Sequence, residues 1–172
     1  MKPSIVLVVG TFLAVLQASA VPYIQVLGVA PDLILIFAAS WAVVRGYDEG
    51  FWVIPILGFT RDFISSDPVG TSALALAPIV LLAAVVRLRA MDSEFVPTAI
   101  VVAAGTLLYG IISIAILRAT GQDTPVTDGA LVVLPAIIVN AVFTPIVYFP
   151  VHWLGSRTTM RILGPGRISM PL

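Results

Sequence analysis

The chain lacks most of the residues that reactive chemistry relies on. It contains no cysteine, which excludes a disulfide framework, a thiol nucleophile and any cysteine-based metal site. Histidine occurs once, at position 152, and no H-E-x-x-H string is present, so the usual zinc-hydrolase pattern is excluded as well. Charge is scarce: 10% of the 172 residues are charged, whereas a soluble domain carries about 25%. Nine basic residues balance nine acidic ones, leaving no excess of Lys and Arg to neutralise the phosphates of a nucleic acid. What remains is apolar, with 59% hydrophobic residues and a mean hydropathy of +1.09. A core of this size cannot hide that much apolar surface from water, so the surrounding solvent is lipid. These numbers define an all-α, polytopic membrane protein.

A hydrocarbon core about 30 Å thick needs about 20 helical residues, within a range of about 17–25. The apolar runs predict six spans, near 4–21, 30–45, 50–66, 70–87, 96–117 and 129–154. The second and third are the shortest, and the last two are long enough to tilt. No large loop separates them, so residues 1–172 form a single transmembrane domain with a short basic tail, 155–172. With both termini cytoplasmic, Lys2, Arg45, Arg87, Arg89, Arg157, Arg161 and Arg167 lie inside and only Arg61 and Arg118 outside, a clear positive-inside bias. Asp62, Asp67, Asp123 and Asp128 then give an acidic outer face, and Trp41, Tyr47, Trp52 and Trp153 fall near inner boundaries, where interfacial aromatics belong. Lys2, the run Ile5–Leu16 and Ala18-Ser19-Ala20 also fit a signal peptide. A retained first helix is the expectation; cleavage would leave five spans in the same orientation.

Residues 31–70 concentrate the charges at membrane depth, where they are expensive and kept for structural or functional reasons. Two short apolar runs flank the polar turn Arg45-Gly46-Tyr47-Asp48-Glu49-Gly50. Counting outward from that turn at about 1.5 Å per residue brings Asp32, Arg61 and Asp62 to similar depth near the outer boundary. Asp32 caps its helix with the others facing headgroup water, or an Asp32–Arg61 or Arg61–Asp62 network sets the register of the hairpin. Tyr47-Asp48 matches half of the intramembrane aspartyl protease signature, but no GxGD follows. Asp48 and Asp62 are also about 20 Å apart by helix rise, too far to share a proton. His152, beside Trp153, reads as an interfacial snorkelling residue rather than a catalytic base. No enzyme, metal site or cofactor is expected.

Small residues carry a different signal. Ala14 and Ala18 in the first helix, Gly46 and Gly50 at the turn, Ala99 and Ala103 in the fifth helix, and Gly58 in the third allow close backbone approach. Among them, Ala14, Ala18, Gly46, Gly50 and Gly58 are the expected packing and partner-interface positions. Pro135, Pro145 and Pro150 punctuate the last helix, and Asn140 between them should face protein and hydrogen-bond another helix. Gly164-Pro165-Gly166 ends any helix in the tail, whose Arg157 and Arg161 suit an anionic inner leaflet.

The same 31–70 segment resembles the MreD family of rod shape-determining membrane proteins. The likeness rests on Pro31-Asp32 opening a leucine-rich span, Arg45-Gly46 and Glu49-Gly50 at the turn, and then Gly58, Asp62, Pro68 and Gly70. Trp52 and Pro55 depart from the small, aliphatic pattern of that third helix. The resemblance implies a non-enzymatic scaffold subunit of the bacterial cell-elongation complex. Its expected partner is the transmembrane helix of an MreC-like protein, with MreB, RodA and a penicillin-binding transpeptidase in the same assembly, and its place is the cytoplasmic membrane. The family is also similar in fold to the S-components of energy-coupling-factor vitamin transporters, whose first-helix Ala-x-x-x-Ala face Ala14 and Ala18 would satisfy. A substrate-binding S-component is therefore the alternative expectation, and a lipid-precursor pocket a third.

Overall fold

A computed structural model describes residues 3–65, 68–88, 93–121 and 126–162. The side chains of 3–7, 126–130 and 155–162 are not among the described ones. Lys2, Asp67, Arg89, Asp123 and Arg167 and the 164–166 turn lie outside the described residues, as do the side chains of Asp128, Arg157 and Arg161.

Among the described residues every regular element is helical: α1 Pro3–Ser19, a 3-10 turn Val21–Tyr23, α2 Leu33–Arg45, α3 Tyr47–Asp62, α4 Thr71–Leu76, α5 Pro78–Arg87, α6 Phe95–Ala119 and α7 Val126–Ile162. The helix α2 is the axis of the bundle. It packs against α1, α3, α5, α6 and α7, and every residue from Ile34 to Val43 is buried. Its 13 residues extend only about 20 Å. Encased in protein on every side, such a helix has no need to match the thickness of a bilayer. By contrast α6 and the Leu131–Leu154 stretch of α7 are long and apolar, with only 22% of each best window buried. Large apolar side chains face outward around the molecule: Phe12 and Val15 on α1, Trp52 on α3, Leu81 and Val85 on α5, Ile111 on α6, Ile146 on α7.

Several elements differ from expectation for identifiable reasons. The apolar run 70–87 is two helices because Pro78 has no N–H to offer the Leu74 carbonyl; the Ala77 amide bonds that carbonyl instead, at 3.3 Å, and tightens the backbone. The last helix passes through Pro135, Pro145 and Pro150 and continues to Ile162, beyond the expected end at 154. Trp52 and Pro55 both fall on the exposed face of α3, while Val53, Ile54, Leu57 and Gly58 face inward, so the bulk of the tryptophan burdens no helix contact. Trp41 faces the protein interior: it is 2% exposed, tilted against the Phe37 ring and beneath the Arg45 guanidinium.

The glycines expected at packing and partner-interface positions pack closely within this chain. Gly46 joins α2 to α3 with φ +94°, and a side chain there would collide with the Arg87 guanidinium. At Gly50 an added Cβ would sit 3.2 Å from the Ala42 Cβ, and at Gly58 it would overlap the backbone of Ala73. These glycines bring α3 against α2 and α4 of this same chain, the packing role expected of them. Ala14 is likewise buried in the core, whereas Ala18 is exposed, so the two do not form one open face.

Candidate functional site

A helix that begins inside an apolar bundle exposes backbone N–H groups that neither water nor lipid can satisfy. At the start of α2, side chains supply the acceptors. The Asp32 carboxylate caps its own helix through the Leu35 amide at 3.0 Å. Gln17 of α1 accepts from the Leu33 amide at 2.8 Å and donates to the Pro31 carbonyl at 2.9 Å. Asn140 of α7 accepts from the Asp32 amide at 2.7 Å, and its own amide donates to Thr106 of α6 at 3.0 Å. The first and last helices thus meet at the same short stretch of backbone.

The second oxygen of Asp32 pairs with Arg61 at the end of α3. Both side chains are largely withdrawn from the surface, 14% and 21% exposed, and the guanidinium lies over the Tyr109 ring, 4.8 Å from its centroid. The Tyr109 hydroxyl is 3.3 Å from Ser72 of α4. Asp62 does not join the Arg61 pair. It is 2% exposed and accepts from the Gly70 and Ser72 amides at 2.7 and 2.9 Å, closing the loop into α4. Neighbouring residues on a helix point about 100° apart, which is why Arg61 and Asp62 serve different partners.

The structure therefore brings Asp32, Arg61 and Asn140 into one network and ties Asp62 to it through Ser72 and Tyr109. Gln17, Ser72, Thr106 and Tyr109 were missed in the sequence. Thr106, Tyr109 and Ser113 do leave a trace: they recur at helical spacing along one stripe of an otherwise apolar helix. At the far end of the bundle His152 also has a partner that depth arithmetic alone did not reveal, Glu94 at 3.2 Å, with the Tyr148 hydroxyl 3.4 Å away. Among the described residues, no group of three or more His, Cys, Asp and Glu side chains could hold a metal ion. The network neutralises charge and satisfies amides, and its chemistry is that of a lock.

An all-helical bundle with an apolar exterior and internal charges spent on joining helices defines an integral membrane protein of structural type. The family model described as rod shape-determining protein MreD matches residues 2–157, and the chain belongs to that family, whose members are bacterial membrane proteins that determine cell shape. No curated protein and no solved structure matches the chain.

Proposed function

We propose that this chain is a six-span scaffold of the cell-elongation complex, with both termini in the cytoplasm, and that it holds the transmembrane helix of an MreC-like partner. Family membership across residues 2–157 carries the reading. It is supported by the use of the interior charges: Asp32, Arg61 and Asp62 are each engaged in tying helices or loops of this chain together. The partner then belongs on the exterior. The outer stripe of α1, with Phe12, Val15 and Ala18 exposed, is the first candidate, because it pairs bulky apolar side chains with a small residue that lets a second helix come close. MreB, RodA and its transpeptidase are reached through that complex, and peptidoglycan synthesis is supported rather than catalysed.

The test is co-purification of the full chain with the MreC-like protein of the same cell, combined with Phe12→Cys and Val15→Cys cross-linking to cysteines placed along the partner's helix. Periodic cross-links every three to four partner residues are expected. Failure to recover the partner at all would overturn the scaffold reading, whereas recovery with cross-links confined to another helix would move the docking face.

A further inference from the structure

Beside the polar network lies a cavity of about 470 Å³, between the start of α2, the middle of α6 and the first half of α7. That volume is within the range of about 300–1,000 Å³ found for small-molecule sites. One end carries Asp32, Arg61, Tyr109 and Asn140; the walls are otherwise largely apolar. Because Asp32 and Arg61 neutralise one another, the polar end favours hydrogen bonding over net charge. Ser113 also lines the cavity, its buried hydroxyl next to that of Tyr109, so the two hydroxyls together offer a hydrogen-bonding point within the apolar walls. Val132 lines the cavity too, yet is 52% exposed on the apolar outer face of α7 beside Leu131. The opening therefore faces the bilayer. Apolar walls of this kind do not hold water well.

We propose that the cavity takes one acyl chain of a bilayer phospholipid, entering past Val132, with the ester carbonyl accepting a hydrogen bond from the Ser113 hydroxyl. The chain fills the apolar walls, and the carbonyl is held at the Ser113 and Tyr109 hydroxyls that line them. This site goes beyond the scaffold role and rests only on the chain lying in a membrane.

The experiment uses the full chain in nanodiscs of phosphatidylethanolamine and phosphatidylglycerol, spiked with phosphatidylethanolamine carrying a diazirine on its acyl chain. After irradiation, labelled residues are mapped by mass spectrometry. Ile114, Val133 and Ala136 are expected to label at least as strongly as Leu81 and Val85, although the latter are more exposed. Ala136→Leu, which fills the cavity, should lower the cavity labelling at least fivefold and leave Leu81 and Val85 unchanged. Equal cavity labelling in that variant, or none in the parent, would overturn the site, and loss of labelling at Leu81 and Val85 as well would overturn the membrane placement beneath it. Two milder variants guard against misfolding. Ser113→Val should reduce lipid retained through detergent exchange several-fold. In the cysteine-free background, Ser113→Cys should react slowly with a charged, membrane-impermeant maleimide, and rapid reaction would show a water-filled cavity and defeat the proposal.

Discussion

Asp32 is the residue on which most of the interior depends, since its amide, both carboxylate oxygens and the Leu33 and Leu35 amides after it are engaged. Removing one member of a buried ion pair strands the other, at a cost of about 3–5 kcal/mol for full burial. With Asp32 and Arg61 14% and 21% exposed, Asp32→Asn and Arg61→Gln should each lose about 2–4 kcal/mol in reversible unfolding in detergent. The double variant should lose less than the sum by more than about 1 kcal/mol; simple additivity would show that the pair does not couple. Asn140→Leu should cost about 1–3 kcal/mol in the same assay, because the Asp32 amide is left without its acceptor. The depth match between Asp32 and Arg61 was readable from helix rise alone, since each lies a countable distance from one turn. Gln17 was not, because a single polar residue in an apolar run has no period to betray which neighbour it faces, and the stripe that holds Tyr109 marks a face of α6 without naming Arg61 as its neighbour.

Among the helices, apolar runs located the elements well, and the failures share a cause: hydropathy averages over backbone chemistry. An average passes smoothly through Pro78, whose missing N–H divides α4 from α5. It also stops at the polar residues after 154, although the hydrogen-bonded backbone of α7 runs on to Ile162. Glycine spacing was equally ambiguous, since close approach serves an internal neighbour as readily as an external one. Gly58 separates the two. Gly58→Leu must displace the Ala73 backbone, so we expect loss of monodisperse, folded protein in size-exclusion chromatography, whereas Trp52→Leu on the exposed face should change thermal stability little. A well-folded Gly58→Leu protein that merely failed to bind its partner would restore the glycine to an interface.

For the molecule as a whole, the distribution of basic residues argues for one orientation, and the cysteine-free sequence makes it easy to check. Single cysteines at Ile24 and Thr120 should react with an impermeant reagent added outside intact cells, and one at Asp48 only after lysis. The reverse pattern would invert the topology.

The amide of Asp32 waits on Asn140, 108 residues further along the chain. During synthesis the central helix is made well before its capping partner, so no truncated product ending before α7 can complete the core. Assembly then has a built-in order: α7, made after the axis helix, closes the first turn of the axis about which the others pack.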